Sequence, residues 1–429
     1  MPTQAAWSRV IAAAGDLVHR SSAAPALTVR LQGSGRHSWG CGLALRARGP
    51  VALLRVEDYD RGRVETADAV ELWHGEPFVL FERFCRKVFA SPFERTRHVV
   101  VAIQYDAALP SFGLAKRRTG SQPLLIALAY EDPCVERPAD VVPSPIPPGA
   151  PAACRAKVSA GWSRDQYEAA FHRVLDYIAA GDVYQVNLAY PLRCEQRVAG
   201  LPLFEALQRR NPVAFGAYLH AGDFELVSNS PELFLSRRGS WLTTRPIKGT
   251  RPRGCAPDED RARMEELRRD AKERAELTMI VDLERNDLGR ICEIGSVEVV
   301  AHERVETYAT LHHMYSEVRG RLRSGVGWDE ILGATFPGGS VTGAPKRRAM
   351  QIIDELEVGS RGFYTGALGW LRAIDEADFA LLIRTAVVDA AGVEYWTGGG
   401  LVADSVAERE YEETRLKARA FEVALEEVG

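Results

Sequence analysis

The residues best suited to chemistry in this chain lie between Arg245 and Gly254, where one lysine stands among three arginines. Lys248 follows a proline by two positions and precedes Gly249, a residue type that lets a ligand approach the backbone closely. Neighbouring cations disfavour the ammonium form of a lysine, so we expect some free amine, a nucleophile, near neutral pH. The alternative is a basic surface loop, because charged loops are usually solvated.

Two predicted helices carry glutamates at a spacing of three. Glu273 and Glu276 lie in a helix predicted from about Asp258 to Asp282, so both carboxylates project from one face. Taken alone, this face is equally typical of a surface helix that carries charges for solubility. The interpretation therefore depends on whether a second set of donors meets it.

The C-terminal helix repeats this pattern. Its start is predicted at a capping box formed by residues 405 and 408, Ser and Glu, and Glu410, Glu413 and Lys417 then share one face. If the two helices meet, their glutamates supply hard oxygen donors without His or Cys, which suits Mg²⁺ that retains some waters. Such an ion would neutralise a carboxylate of a substrate.

Two glycine-rich segments are candidates for anion binding. Phe336 to Lys346 places glycine amides and the hydroxyls of Ser340 and Thr342 before a helix predicted from Lys346 to Leu356. Three consecutive glycines, at positions 398 to 400, follow a predicted strand and would let another group approach the backbone. A flexible turn is the alternative for the triplet.

A buried cation is expected at Arg384, inside a strand predicted from Phe379 to Val388. Burying a guanidinium is costly unless a carboxylate meets it. Tyr364 could hydrogen-bond the same anion. These two residues extend the candidate anion site.

The composition describes an ordinary globular protein that can bury a sizeable core. The chain has 429 residues, 46% of them apolar, which allows one large domain or two to three smaller ones, and a net charge of -4, which implies no polyanionic partner. Its seven cysteines form no Cys-x-x-Cys pair, so we expect reduced thiols in a cytoplasm and neither disulfides nor zinc. Neither an export signal nor a membrane-spanning segment is expected.

The elements that must position these residues follow a proline-rich stretch. Residues 133–151 contain seven prolines, too many for a helix or a central strand. We predict an N-terminal region over 1–132, a connection over 133–160 and a catalytic domain over 161–429. Runs of strands followed by helices favour an α+β fold with antiparallel sheet.

Several ordered motifs between about Ser163 and the C-terminus resemble one family. They are Ser230-Pro231-Glu232, Gly249-Thr250-Arg251-Pro252-Arg253, Lys272-Glu273-Arg274-Ala275-Glu276, Val281-Asp282-Leu283-Glu284-Arg285-Asn286-Asp287, the Phe336 to Lys346 segment and Glu408-Arg409-Glu410-Tyr411-Glu412-Glu413-Thr414. The sequence resembles the chorismate-utilising enzymes, namely the large subunits of anthranilate synthase and aminodeoxychorismate synthase, with the isochorismate and salicylate synthases. The resemblance implies an α+β sandwich of two antiparallel sheets with helices outside.

Two positions separate the members of that family. Where this chain has Lys248, anthranilate synthases have alanine, whereas aminodeoxychorismate synthases typically carry Pro-Ile-Lys-Gly-Thr, so the chain resembles the second kind. Gln185 stands where the enzymes that add water to chorismate use a lysine. The resemblance implies amination of chorismate at C4 for p-aminobenzoate and folate, with anthranilate synthesis, a non-catalytic regulatory subunit and a secondary-metabolite pathway as alternatives.

The resemblance also implies a role for each site residue. Lys248 is the nucleophile, Glu232 the proton donor, and His313 lies near the ring. Mg²⁺ is held by Glu273, Glu276, Glu410 and Glu413. The substrate is held by Gly249, Thr250, Ser340, Thr342, Tyr364, Arg384, Gly398, Gly399, Gly400 and Lys417.

The resemblance further requires a source of ammonia. A fused glutamine amidotransferase would need a Cys nucleophile in a glycine-rich elbow, and none of the seven cysteines has that setting. We therefore expect a separate glutamine amidotransferase partner in the cytoplasm, with no nucleic acid and no membrane involved.

Overall fold

The computed structural model describes residues 27–33, 38–90, 96–114, 122–137, 157–308 and 311–429. The strands are β1 Thr28–Gln32, β2 Ala44–Arg48, β3 Ala52–Asp58, β4 Arg61–Thr66, β5 Val70–His74, β6 Arg97–Ile103, β7 Leu125–Glu131, β8 Cys134–Glu136, β9 Val158–Ala160, β10 Gln185–Cys194, β11 Phe215–His220, β12 Glu225–Ser230, β13 Leu233–Arg238, β14 Trp241–Arg245, β15 Ile247–Pro252, β16 Glu298–Thr307, β17 Leu311–Arg321, β18 Gly343–Ala344, β19 Ala367–Ala373, β20 Glu376–Leu381, β21 Thr385–Asp389 and β22 Gly392–Leu401. The helices are α1 Pro77–Phe89, α2 Arg164–Ala179, α3 Gly200–Arg210, α4 Pro257–Arg269, α5 Ala271–Gly289, α6 Trp328–Thr335, α7 Lys346–Leu356 and α8 Ala407–Val428.

Two large antiparallel sheets form the frame. One has the strand order β18-β10-β22-β21-β12-β11-β1-β2-β8 with β9 beside β10, and the other has the order β15-β17-β14-β13-β20-β19-β6-β7-β3-β4-β5 with β16 beside β17. The named strand pairs are all antiparallel. The expected α+β class with two antiparallel sheets is confirmed.

Apolar side chains fill the space between the sheets and under the helices. Leu31 and Leu226 of the first sheet meet Ile126 and Trp370 of the second in one buried cluster. A second cluster packs α1 and α6 on the outer face of the second sheet, and a third packs α2, α3, α7 and α8 on the outer face of the first. The sandwich with helices outside is confirmed by this arrangement.

The helix predicted from Asp258 to Asp282 is two helices. α4 ends before Asp270, whose side chain accepts hydrogen bonds from the amides of Lys272 and Glu273 and so caps the start of α5. An aspartate at this position satisfies amides that a helix terminus leaves unpaired, which favours a new helix over a continuous one. The capping residue also fixes where Glu273 begins its turn.

Two other local predictions need correction, and one alternative is excluded. The capping box at residues 405 and 408 does not form, because α8 starts after Val406 and the Ser405 hydroxyl bonds Glu410 instead. The strand predicted over 379–388 is interrupted: Arg384 has φ of 50° between β20 and β21. The glycines at 398–400 lie within β22 and do not form a turn.

Strands from both sides of the proline-rich stretch contribute to each sheet. β1 pairs with β11 in one sheet, and β6 pairs with β19 in the other. The division at 133–160 stays a prediction, and residues 138–156 lie outside the described residues. Among the helices described, none combines the length and apolar character needed to cross a membrane.

Candidate active site

Lys248 brings the two sheets and a helix together. Its Nζ lies 3.3 Å from Oε2 of Glu276 on α5, and both side chains are largely buried. A Cβ added to Gly400 of β22 would lie 3.1 Å from Nζ of Lys248, so the amine of one sheet faces the glycine triplet of the other. The same added Cβ would lie 2.9 Å from Nε2 of Gln185, so a side chain at position 400 would displace one or both of these groups.

The expected crowding of Lys248 by unpaired cations is not present. Arg245 pairs with Glu306, Arg251 lies 2.8 Å from both Glu266 and Asp270, and Arg253 lies 2.8 Å from Asp260. Each arginine therefore meets a carboxylate, and Lys248 meets Glu276. Lys248 lies on β15 with a largely buried side chain, which the alternative of a solvated basic loop does not describe.

Gly249 shapes the strand that presents the lysine. The register of β15 against β17 shifts between Lys248 and Thr250, and Gly249 has φ of 70°. A Cβ at this position would lie 2.7 Å from Leu267 Cδ1 on α4. The resulting bulge re-aims side chains at the end of the strand, and it tolerates only glycine.

Glu232 is a buried carboxyl group beside this lysine. It lies between β12 and β13, and its Oε1 accepts a 2.6 Å hydrogen bond from the Ser340 hydroxyl. Burial raises the pKa of Glu232 to about 7, although Ser340 and Lys248 lower it. A carboxyl group with such a pKa can donate and recover a proton near neutral pH.

His313 is a buried, neutral histidine on β17, the strand that pairs with β15. Its Nδ1 lies 2.8 Å from Oγ1 of Thr250 on the adjacent strand, and burial, assisted by the charge of Arg384, lowers the pKa of His313 to about 3. The neighbouring His312 is held by Asp260, 2.9 Å from its Nε2. The two histidines therefore have distinct surroundings, and it is His313 that is linked to Thr250 and Arg384.

Arg384 is a cation without a counter-ion. No ion pair or hydrogen bond joins its guanidinium to another residue in the described part of the chain, and burial lowers the pKa of Arg384. The positive φ that interrupts the strand is uncommon for a residue other than glycine and costs backbone energy. An unpaired, strained arginine beside His313 is suited to a carboxylate ligand.

Tyr364 is buried beside an aromatic ring and a guanidinium group. Its buried ring stacks on Trp396 with centroids 5.9 Å apart, and burial raises the pKa of Tyr364 to about 12, so its hydroxyl stays protonated. The guanidinium of Arg361 lies 5.7 Å from the centroid of the same ring.

The four predicted glutamate ligands of α5 and α8 each have a cationic neighbour. The pairs are Glu273 with Arg251 at 3.7 Å, Glu276 with Lys248 at 3.3 Å, Glu410 with Lys272 at 3.3 Å and Glu413 with Lys417 at 2.8 Å. Lys272 also lies 3.9 Å from Glu276, so its ammonium bridges the two helices. Burial, followed by the charge of Glu276, raises the pKa of Glu273.

The hydroxyls and the remaining lysine of the expected anion site are already engaged. Ser340 donates to Glu232, and Thr342 donates to the carbonyl oxygen of Gly338 at 2.9 Å. Lys417 donates to the carbonyl of Gly398 at 3.1 Å in addition to its pair with Glu413. Among the cationic side chains predicted for the site, Arg384 is the one that has no ion-pair or hydrogen-bond partner within the described residues.

Sequence reasoning missed the buried ion pair of Arg361 and Glu357, and it did not predict the surroundings of Gln185. Arg361 and Glu357, both nearly inaccessible, pair at 2.6 Å, and Arg361 also donates to the backbone of Val341 and Asn187. Gln185 on β10 has no hydrogen-bond partner for either amide atom within the described residues. The motif Arg361-Gly362 carries no helix or strand pattern that reveals such a pair.

Comparison with other proteins identifies relatives by sequence. The sequence profile of chorismate binding enzymes matches residues 103–422. The chain is 43% identical over 268 residues to aminodeoxychorismate synthase component 1 of Bacillus subtilis, covering 62% of this chain and 57% of that protein. It is 46% identical over 284 residues to anthranilate synthase component 1 of Thermus thermophilus, covering 66% of this chain and 62% of that protein. The match thus spans less than two thirds of the length of either relative. The two relatives are named for different reactions.

Solved structures share the fold over nearly the whole chain. Anthranilate synthase component I from Streptococcus pneumoniae TIGR4 superposes with a TM-score of 0.74 at 27% identity and covers 91% of this chain and 95% of that one. An isochorismate synthase, described as putative, from Bacillus anthracis superposes with a TM-score of 0.71 at 20% identity, covering 93% and 96% of the two chains, and shows the fold alone.

The buried pair of Arg361 and Glu357 gives a stability prediction. Arg361→Met leaves a carboxylate unpaired in the interior, so we expect it to lower the free energy of unfolding by about 3–5 kcal/mol, measured by urea denaturation. Arg361→Met combined with Glu357→Gln removes both charges and should cost less than the single change. The exposed Arg193, paired with Glu394, serves as control, with a cost below about 1 kcal/mol for Arg193→Met. If Arg361→Met lowers the free energy of unfolding by less than about 1 kcal/mol, Arg361 and Glu357 do not form a buried ion pair.

Proposed function

The chain belongs to the family of chorismate-binding enzymes, and we propose that its reaction is the amination of chorismate at C4 to 4-amino-4-deoxychorismate. The observation that carries the proposal is a buried amine, Lys248, that faces Gly400 and stands beside a protonatable carboxyl group, Glu232. The segment around Lys248 also resembles that of the aminodeoxychorismate synthases. An amine in such a place is suited to attack on a carbon of the ring.

The first step forms a covalent bond to the enzyme. Lys248, paired with Glu276 at 3.3 Å, first gives up a proton of its ammonium group to solvent. Its amine then attacks C2 of chorismate, the ring double bond shifts, and the bond from C4 to its hydroxyl breaks. Glu232 gives its proton to the departing hydroxyl, which leaves as water. Ser340 holds Oε1 of Glu232 at 2.6 Å throughout and so fixes the direction in which the proton is presented.

The second step restores the enzyme. Ammonia attacks C4, the double bond shifts back, and the bond between C2 and Nζ breaks, so Lys248 leaves as an amine. Glu232, now a carboxylate, takes a proton from the newly added ammonium group. The sum is chorismate and ammonia giving 4-amino-4-deoxychorismate and water, with the enolpyruvyl group retained. Two allylic displacements replace one difficult substitution.

The unpaired cation of the site would hold the enolpyruvyl carboxylate. Arg384 supplies the charge, Tyr364 a protonated hydroxyl, and the glycines of β22 the backbone surface. His313 is neutral and linked to Thr250, so it would contact the ring without adding charge. The side chains of Lys417, Ser340 and Thr342 already make hydrogen bonds within the protein. They would therefore contribute less to substrate binding than Arg384.

The four glutamates are the type of ligand that Mg²⁺ prefers, but each of them is paired with a cationic side chain in this structure. Within the described residues no three His, Cys, Asp or Glu side chains are arranged to hold a metal ion. The donors are all hard carboxylate oxygens, from Glu273, Glu276, Glu410 and Glu413. The ammonium group of Lys272 lies between Glu276 and Glu410, where a metal ion would otherwise neutralise them. When bound, the ion would supply positive charge for the ring carboxylate of the substrate.

The ammonia would come from a separate glutamine amidotransferase. The name of the Bacillus subtilis relative, component 1, is consistent with a protein that works in more than one part. Of the cysteines in the described residues, Cys134 and Cys255 are exposed, and Cys85, Cys194 and Cys292 are buried. Burial raises the pKa of Cys85 and Cys292, which makes these two thiols poor nucleophiles.

The alternative reaction is that of anthranilate synthase. It is favoured by the 46% identity to the Thermus thermophilus protein, which is named for that activity. The lysine at position 248 argues against it, since the resemblance places alanine there in anthranilate synthases. The two reactions differ in whether the enolpyruvyl group is retained.

The identity of the product tests the proposal. The chain alone, given chorismate, Mg²⁺ and ammonium, should release a product that retains the enolpyruvyl group, identified by mass spectrometry. Glutamine in place of ammonium should give no turnover until an amidotransferase is added. Anthranilate as the product would overturn the assigned reaction, and turnover with glutamine by the chain alone would overturn the separate partner.

The pH dependence tests Glu232 as the proton donor. Its carboxyl group must be protonated to act, so kcat should fall as pH rises through about 7. Glu232→Gln should reduce kcat by about 10²–10⁴-fold and remove this decline. Asp176→Asn, at an exposed residue of α2, is the matched control and should change neither. If kcat of Glu232→Gln still falls as pH rises through about 7, a group other than Glu232 causes the fall.

Lys272 gives a test of the metal site that does not depend on turnover. Lys272→Met removes a cation that competes for Glu276 and Glu410, so Mg²⁺ should bind about fivefold more tightly, since a partly exposed ion pair is worth about 1 kcal/mol. Titration calorimetry without substrate measures this. Arg285→Met removes a charge from the same helix, about 20 Å away by the helix rise, and should have no effect. Unchanged or weaker binding in Lys272→Met would place the ion elsewhere.

A further inference from the structure

α5 carries a second pair of acids on the face that bears Glu273 and Glu276. Glu284 and Asp287 follow the first pair by 11 residues, which is three helical turns within about 20°. Both side chains are buried, at 3% and 4% exposure, and they meet the segment from Phe336 to Lys346. The reaction proposed above uses neither acid.

Asp287 ties together the two ends of that segment. Its Oδ2 lies 2.5 Å from Nζ of Lys346, and the same ammonium donates to the carbonyl of Thr335 at 2.9 Å. Thr335 directly precedes the segment and Lys346 ends it. One buried ion pair therefore closes the segment into a loop against α5.

Glu284 contacts the middle of the loop. Its Oε1 accepts a 3.1 Å hydrogen bond from the amide of Gly339, which begins a 3₁₀ turn at Gly339–Val341. A Cβ on Gly339 would lie 2.6 Å from Leu283 Cδ2 and 3.1 Å from the same Oε1, so only glycine lets the turn approach α5. The next residue, Ser340, is the one that donates to Glu232.

The surroundings of Glu284 favour its neutral form. Burial, with the charge of Asp287, raises the pKa of Glu284, while Lys346 and the Gly339 amide lower it and Glu232 raises it further. A neutral carboxyl group still accepts the amide hydrogen bond through its carbonyl oxygen. Its Oε2 has no hydrogen-bond partner in the described residues. The amide of Gly339 is thus the contact that Glu284 makes toward the site.

We propose that Glu284 is a positioning residue: by holding the Gly339 amide it sets the turn that presents the Ser340 hydroxyl to Glu232. The inference rests on the proposed function only for the role of Glu232. The contacts themselves run from α5 through Gly339 and Ser340 to Glu232. The helix that offers Glu273 and Glu276 to a cation therefore also fixes the hydrogen bond of the proton donor.

The experiment compares two neutral replacements of similar size. Glu284→Met removes the acceptor and Glu284→Gln keeps one, and both remove the carboxylate, so their difference isolates the hydrogen bond to Gly339. Ser340→Ala should lower kcat by about tenfold, as expected for loss of a hydrogen bond to an ionisable group. It should also move the decline of kcat to higher pH, because the Ser340 hydroxyl lowers the pKa of Glu232.

Glu284→Met should reproduce the loss and the pH shift of Ser340→Ala, and the double variant should be no worse than Ser340→Ala. Glu284→Gln should stay within about twofold of wild type. Additive losses, or a loss in Glu284→Met without a pH shift, would overturn the proposal. Glu284→Asp, which shortens the side chain and withdraws it from Gly339, replaces Glu284→Met if that variant does not fold, with the same expected loss.

Amide hydrogen exchange separates this inference from the reaction. The peptide spanning residues 336–346 should exchange faster in Glu284→Met than in Glu284→Gln, whatever product the enzyme forms. Equal exchange in the two variants would refute the positioning role even if the product is the expected one. A wild-type enzyme that forms a different product, with the exchange difference intact, would refute the proposed function alone.

Discussion

The contact between Lys248 and Glu276 is the interaction on which the site depends. It joins β15 of one sheet to α5, at 3.3 Å and with little solvent access. Removing either partner of a largely buried ion pair leaves a charge without compensation, which is costly. Lys248 must give up a proton before its nitrogen can act as a nucleophile, because an ammonium group has no free lone pair.

The two sheets place this pair where it can act. β15, at the edge of one sheet, brings Lys248 to Gly400 of β22, two strands in from the edge of the other, and Thr250 of β15 contacts His313 of β17. Close approach is possible because Gly249 and Gly400 carry no side chains. The four glutamates of α5 and α8 each lie beside a cation of the chain. Arg384, in contrast, has no carboxylate partner within the described residues.

The sequence predicted the parts of this arrangement that depend on periodicity. The pairs of glutamates on α5 and α8, the helix from Lys346 to Leu356 and the antiparallel sheets follow from local patterns and are present. Contacts between distant segments were not predictable, and they reverse some local expectations. The arginines around Lys248 find carboxylates from α4, α5 and β16, and Ser405 bonds Glu410 in place of capping α8. Glu284 had a signal, its spacing of 11 residues from Glu273, but its partner Gly339 lies far along the chain.

Intact-protein mass spectrometry of the wild-type chain, quenched after brief exposure to chorismate and Mg²⁺ without ammonia, tests the central claim most directly. The account predicts an added mass equal to chorismate less one water, located by peptide mapping at Lys248 and absent from Lys248→Ala. An enzyme that turns over with ammonium yet never carries this mass, or carries it on another residue, would contradict the account.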